Sequence, residues 1–402
     1  MAELVIRVSG QDAALISRVY GAGGAPVARQ RPDRLVVDAH VAATHPEIAA
    51  TARRAGVPFL VDPLTHYLQD VQHPADPWAK LSFANERAHT PADLAAAPRQ
   101  ERLVEECLSF QIDHGATTLI APYAHIERAD DGWVDIQRRL LAQTRRFLDR
   151  NNVRIPVMAV FGLGWRLLDR VTWPSVLNPL LEASALLGPV PVALAAAKVD
   201  QGVHPERRLA DLLATIGQIS SRHPVIAWNQ GALGEACVVG GAIGYEVGIG
   251  WRERCDLRSA SAAHRLPPSG GGGARPVYVA SVRRSIPKPS LRVLMRDRVL
   301  LPHLACTHLP CCPTGHSALL GDARAHTIAA RARTLAELDA ADTLAWKWQL
   351  LTQISERGLQ VADRINIASR LHDAVSRIDT AALVATYAVA AAKRRNATER
   401  AA

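Results

Sequence analysis

Residues 190–199, Val190-Pro-Val-Ala-Leu-Ala-Ala-Ala-Lys-Val199, are followed by a segment with helical spacing over 205–222 and then by Val225-Ile-Ala-Trp228. A continuous apolar run of strand length, an amphipathic segment and a second apolar run mark a strand–helix–strand unit whose strands are buried on both faces. The alternation extends in both directions. Apolar runs at 34–41, 57–62, 117–123 and 155–162 precede it, and runs at 243–250 and 277–282 follow. Segments with helical spacing at 46–56, 100–115, 134–151 and 174–187 separate the earlier runs. The first has Pro46 just inside its start and Gly56 just past its end, the usual asymmetry of a helix. Eight such runs predict an α/β fold, a (β/α)8 TIM-type barrel, with an open doubly wound sheet as the alternative.

Around that repeat the chain divides into an N-terminal segment (1–33), a barrel (34–300) and a C-terminal all-helical extension with a Cys/His cluster (301–402). Two insertions interrupt the barrel. Residues 63–99 form a long loop rich in Pro, His, Asp and Trp after the second run, at the strand end where loops carry or cover chemistry. Residues 258–275 contain Pro267-Pro-Ser-Gly-Gly-Gly-Gly-Ala274, read as a flexible surface insertion. Helices are expected over 323–340, 343–359, 361–377 and 381–395. They are expected to pack on the barrel or to form a partner surface through which the chain could self-associate.

Composition narrows the function classes. Apolar residues make up 48% of 402, ample for a large core, yet no run of about 18 apolar residues occurs, so no membrane span is expected. Neither a GxGxxG turn nor a phosphate-binding Lys loop follows the first run, which argues against a Rossmann or P-loop nucleotide site. The N-terminus lacks the basic-then-apolar pattern of a secretory signal, and Cys107, Cys237 and Cys255 are scattered singly, which suits a reducing cytoplasm. A net charge of +9 fits a polyanionic partner such as tRNA or DNA, although a GC-rich coding bias toward Arg and Ala produces the same surplus.

Cys306-Thr-His-Leu-Pro-Cys311-Cys312-Pro-Thr-Gly-His316, with His326 ten residues on, concentrates thiols and imidazoles. Zinc takes three or four such ligands tetrahedrally, and adjacent cysteines bridge each other only with strain. Cys306, Cys311, Cys312 and His326 are the expected zinc ligands, with His316 as substitute and buried reduced thiols as the bland alternative. A closed four-ligand site would be structural.

Barrel chemistry collects at the C-terminal strand ends. Reading those positions yields Asp38, Asp62 and His66, Lys198 and Asp200, Asn229 and Gln230, Tyr245 and Glu246, and Arg283 and Arg284. Asp62, Glu246 and Lys198 are the candidate catalytic residues, and the others are candidate substrate contacts. Asp38 and Asp62 read equally as caps of the following segments, Asn229 and Gln230 as residues that only shape a turn, and Lys198 as a structural partner that neutralises Asp200 or Glu246. Glu246 lies in a glycine-rich run, Gly240-Gly-Ala-Ile-Gly-Tyr-Glu-Val-Gly, where a flat ligand can approach closely. Arg252, in the following Trp251-Arg-Glu-Arg254, is expected with Arg283 and Arg284 to meet phosphates.

This layout resembles the tRNA-guanine transglycosylase superfamily over residues 34–330. That family combines a barrel bearing strand-end acids with a zinc-binding insertion after its last strand. The resemblance places Asp62, in Phe59-Leu-Val-Asp-Pro, at the family's general acid/base aspartate, and Glu246 near its nucleophilic aspartate. Three features depart from it. The thiol spacing is Cys-x4-Cys-Cys rather than Cys-x-Cys-x2-Cys, no Asp-Ser-Gly-Gly turn follows Asp62, and the nucleophile position holds Glu. The resemblance implies a zinc-containing enzyme acting on a nucleobase–ribosyl bond, with base exchange in a nucleic acid as the reaction. A Schiff-base lyase or aldolase using Lys198, or a non-catalytic nucleic-acid or protein binding module, are the alternatives.

Overall fold

The computed structural model describes residues 1–21, 31–265 and 275–399. Its strands are β1 Glu3–Val8, β2 Arg34–Asp38, β3 Phe59–Asp62, β4 Leu119–Ile120, β5 His125–Ile126, β6 Val157–Gly164, β7 Val192–Ala197, β8 Val225–Ala227, β9 Gly244–Gly248, β10 Val277–Val279 and β11 Arg284–Ile286. All pairings among β1 to β9 are parallel, in the order β3-β2-β1-β9-β8-β7-β6-β4. A parallel bridge between Leu60 and Thr118 joins the two ends of that order, so eight strands close into a (β/α)8 barrel. β5 extends the line of β4 along the same neighbour, β6.

The ring is offset by one strand from the sequence reading. Its first strand is β1, inside the stretch taken as an N-terminal segment, and residues 277–282 are not a barrel strand. β10 instead pairs antiparallel with β11 in a separate hairpin. The hairpin's apolar residues Val277, Val279 and Ile286 belong to the core of the C-terminal region, with Leu291, Cys312, Leu319 and Ile365. A short apolar run such as 277–282 carries no sign of which core will bury it, so periodicity alone misplaced it.

Side chains alternate along each strand. Val5, Val36, Leu60, Ile120, Met158, Val160, Ala193, Ala195 and Ile226 fill the barrel interior, while their neighbours Leu4, Ile6, Leu35, Val37, Phe59 and Val61 meet the surrounding helices. Alanines on β7 leave room in the same interior cluster for the bulk of Tyr123 and Trp228. Helix Trp133–Arg150 shows how the outer ring is built. Ile136, Leu140, Phe147 and other apolar residues are buried, while exposed Arg139 and Arg145 pair with Asp135 and Asp149 four residues away.

In the C-terminal region helices run over Ala323–Asp339, Leu344–Ala368 and Ala381–Glu399. The segments expected at 343–359 and 361–377 are largely one helix. Within that helix a Cβ on Gly358 would lie 2.8 Å from the Ser281 carbonyl oxygen and 3.0 Å from Leu383. It is a glycine of close approach, not a cap. Ala381–Glu399 packs on Leu344–Ala368 and on the barrel helix Pro205–Ser220. No described helix is long and apolar enough to cross a membrane. The glycine-rich stretch from Pro267 to Ala274 lies outside the described residues.

Candidate active site and metal cluster

Three carboxylates from three strands converge on one guanidinium inside the C-terminal end of the barrel. Arg7 of β1 donates from Nε to Glu246 Oε1 (2.9 Å), from Nη1 to Asp38 Oδ1 (2.6 Å) and from Nη2 to Asp62 Oδ2 (2.7 Å). All four side chains are buried. Local geometry completes each anion. Asp62 Oδ1 accepts from the Leu64 amide and the Tyr123 hydroxyl, both at 3.0 Å, and Glu246 Oε2 accepts from the Asn229 amide at 2.7 Å. Asp38 receives a second guanidinium in two bonds, from Arg252 Nη1 at 2.9 Å and Nη2 at 2.7 Å.

The electrostatics follow from burial and these partners. Burial by itself would raise Asp38, but Arg252 and Arg7 outweigh it and hold that carboxyl well below the ordinary range. In Glu246 burial prevails over Arg7 and pushes the acid up. Burial and the neighbouring Asp62 push the Tyr123 phenol well up, so it stays protonated and donates. His66 stacks against Tyr123 with centroids 5.2 Å apart. Burial, then the charges of His125, Arg252 and Arg7, push His66 well down, and burial pushes His125 down to about 4. Both imidazoles are therefore neutral at pH 7. Three buried atoms here, His40 Nδ1, His66 Nδ1 and Trp228 Nε1, have no hydrogen-bond partner among the described residues. Unpaired buried polar atoms are uncommon and mark where an occupant would bond.

The segment after β9 covers this mouth. Cys255 and Leu257 belong to the barrel-interior cluster, and the Lys198 amide donates to the Cys255 carbonyl at 2.8 Å. Beyond it Arg265 pairs with Asp76 at 2.6 Å and lies over the Trp78 ring, tying this cover to the insertion after β3.

The sequence-derived residues separate into three groups. Asp38, Asp62, His66 and Glu246 meet at the mouth, and Lys198 sits at its rim. Asn229 contributes its backbone amide to Glu246, and Gln230 ties its side chain to the Ala196 carbonyl at 2.7 Å. Asp200 and Arg284 lie in a different cluster, with Arg254 at 3.0 Å and Arg284 at 3.7 Å from Asp200, and Arg254 reaching on to Asp379 of the C-terminal region. Tyr245 points out of the barrel because it neighbours Glu246 in the strand. Its hydroxyl donates to Glu235, which also pairs with Arg283. Tyr245 and Arg283 thus meet at Glu235, outside the barrel interior and apart from the acids at the mouth. The arginines expected to meet phosphate, Arg252, Arg283 and Arg284, are all turned onto carboxylates. Lys198 is 33% exposed with Asp256 at 3.6 Å, so the apolar enclosure that a Schiff-base lysine needs is missing.

Arg7 is the residue that sequence reasoning missed. Its signal was present: a cation at the centre of Leu4-Val-Ile-Arg-Val8, a run otherwise buried on both faces, requires acids across the barrel.

The thiol cluster assembles as expected. One donor atom from each of Cys306, Cys311, Cys312 and His326 lies within 4.8 Å of all the others. Cys306 and Cys311 sulfurs are 3.4 Å apart, and His326 Nδ1 is 3.3 Å from Cys312 Sγ and 3.8 Å from Cys311 Sγ. A tetrahedral zinc with ordinary bond lengths spaces its ligand atoms by roughly 3.5–3.8 Å, and the three distances lie within a few tenths of an ångström of that range. His326 Nε2 lies 2.9 Å from the Tyr278 carbonyl oxygen, which fixes Nε2 as donor and leaves Nδ1 as the lone pair facing the sulfurs. A hydrogen bond from Cys311, offset by burial and helped by His326, pulls the Cys306 thiol down, while its own bond to Cys306 and burial push Cys311 up and burial pushes Cys312 up. His316 is exposed and outside the group, and His326 is its fourth member. The donor set fits a closed site for a soft divalent ion.

No family model matches the sequence, and no curated protein does. Among solved structures, a putative phosphonomutase from Burkholderia cenocepacia J2315 is similar at 15% identity, covering 61% of this chain and 86% of its own, with a TM-score of 0.36. The 3-dehydroquinate dehydratase from Aquifex aeolicus VF5 is similar at 10% identity over 66% of this chain and 100% of that chain, with a TM-score of 0.31. A psychrophilic glycoside hydrolase family 10 endo-beta-1,4-xylanase is similar at 7% identity over 61% and 85%, with a TM-score of 0.34. The fold assignment rests on the strand order, and none of these three proteins is a transglycosylase.

Proposed function

We propose that this chain is a zinc-containing barrel enzyme that cleaves and re-forms the bond between a nucleobase and its ribose, with a nucleic acid as substrate. The reading is supported chiefly by one juxtaposition: Asp62 and Glu246, 184 positions apart in sequence, occupy neighbouring donors of Arg7. Side-by-side carboxylates are what glycosidic chemistry needs, one to attack the anomeric carbon and one to move the proton. Asp62, with three donors on its oxygens, suits the attack. Glu246, raised by burial, suits the proton, which reverses the assignment the family resemblance implies. Arg7 holds both groups in place, and the unpaired His66 and Trp228 nitrogens offer hydrogen bonds to a base edge. The metal would tie the extension to the barrel and take no part in the chemistry.

The test is incorporation of radiolabelled guanine or 7-deazaguanine into tRNA and into duplex DNA. Wild type should label one of them, and Asp62→Asn and Glu246→Gln should each lower the rate by at least 1,000-fold with metal content and circular dichroism unchanged. Labelling of neither polymer, or full activity in both variants, overturns the assignment.

A further inference from the structure

The insertion after β3 contains a feature that the mouth does not use. Between residues 83–94 and helix Ala97–Asp113 lies a cleft of about 580 Å³. That volume falls within the ~300–1,000 Å³ usual for small-molecule sites. Phe83, Leu94 and Leu103 among its lining residues are buried and give it an apolar floor. Its rim carries three guanidinium groups. Arg87 is exposed and makes no ion pair among the described residues. Arg102 is 77% exposed and bonds Glu106 through Nε alone, at 2.8 Å, which leaves both Nη groups for another acceptor. Arg99 reaches Asp93 only at 3.3–3.4 Å, a weak hold, while that aspartate is already bonded by the Thr90 amide and hydroxyl. Three arginines against Asp93 and Glu106 leave the rim net positive.

Two further observations mark it as a site. His89, part of the lining, has a buried Nε2 with no partner among the described residues. A void of about 10 Å³, room for roughly one water, adjoins the cleft. It shares His89, Leu94 and Leu103 with the cleft and reaches Tyr123, the residue whose hydroxyl is on Asp62. Tyr123 thus stands between this void and the acid cluster.

We infer that this cleft binds a nucleotide, free or within a strand, with its phosphate on Arg87, Arg99 and Arg102 and its ring on the Phe83–Leu94–Leu103 floor. Guanidinium forks match phosphate oxygens in pairs, and an apolar floor accepts any flat base, so the site is one of phosphate and ring recognition rather than base identity. If the occupant lies within a strand, the site deepens the base-exchange reading by holding a nucleotide near the reacting one. If it is free, the site stands apart from that reading.

Calorimetric titration of the full chain with guanosine 5′-monophosphate, guanosine and a ribo-hexanucleotide decides it. One or both phosphate-bearing ligands should bind, weakening as salt rises. Guanosine should bind at least 10-fold more weakly than the monophosphate. Arg99→Ala/Arg102→Ala should cost at least 10-fold in affinity. Tighter binding of the hexanucleotide than of the monophosphate assigns a strand, and the reverse a free nucleotide. Should the double variant lose its circular dichroism signal, Arg87→Ala replaces it with at least a 3-fold loss expected. No binding at millimolar ligand, or equal binding by wild type and the rim variants, overturns the inference. Since binding is read without turnover, failure of base exchange leaves this result standing, and the converse holds.

Discussion

Replacing Arg7 by Met removes the charge that three buried acids share. Asp38 keeps its two bonds from Arg252, but Asp62 and Glu246 lose their one guanidinium ion pair among the described residues while remaining fully enclosed. Breaking a buried ion pair by deleting one member costs about 3–5 kcal/mol, because the survivor is left uncompensated. Two carboxylates are stranded here, although each retains hydrogen bonds, from Tyr123 and Leu64 to Asp62 and from Asn229 to Glu246. A loss of about 3–5 kcal/mol at pH 7.5 is therefore expected. The acids can escape it by taking up protons. Without Arg7 their folded-state affinity for protons exceeds that of the unfolded chain, so the folded variant gains relative stability as pH falls. The deficit should shrink between pH 7.5 and about 5. Urea unfolding followed by tryptophan fluorescence at several pH values measures it, and Arg7→Met/Glu246→Gln should lose less than the sum of the single variants. A deficit under about 1 kcal/mol at pH 7.5, or one independent of pH, would refute the shared-guanidinium account.

Asp38 makes a second electrostatic prediction of opposite sign. Its carboxyl is depressed in the folded state, so its contribution is complete above the unfolded value of about 4 and is lost as pH falls below it. Asp38→Asn should be less stable than wild type at pH 7, with the gap closing in acid titration monitored by circular dichroism. The purified chain should carry one zinc by elemental analysis. Cys312→Ser should lose it, and chelation should lower the melting temperature of wild type but not of that variant. Gly358→Ala should destabilise by about 1–3 kcal/mol in denaturant titration, since its Cβ must displace the Ser281 backbone, whereas helix propensity alone predicts a gain.

A large part of the molecule was legible in the chain. Long Val/Ile/Leu runs such as 155–162 and 190–199 could be nothing but doubly buried strands, and local periodicity is sufficient to recognise them. The four metal-cluster residues were legible for a similar reason, since three cysteines within seven positions are chemically unusual wherever they fold. Asp62 and Glu246 could be nominated because strand ends are where barrel chemistry sits. Tyr245 and Arg283 could not be excluded, because which of two adjacent residues faces inward depends on a register that no local pattern states.

Sequence alone therefore determined the fold class and the grouping of three cysteines with His326, and it nominated the strand-end acids, all from short-range pattern or residue chemistry. Tertiary structure decided which strand begins the ring, that residues 277–279 serve the extension, and that the acids share Arg7. Ring closure, hairpin pairing and a salt link between β1 and β9 join residues up to 239 positions apart. Ring closure and the salt link gain their energy only when distant segments exclude water together, and the local hairpin only when the extension's core buries it, so none could be read from the apolar pattern of its own window.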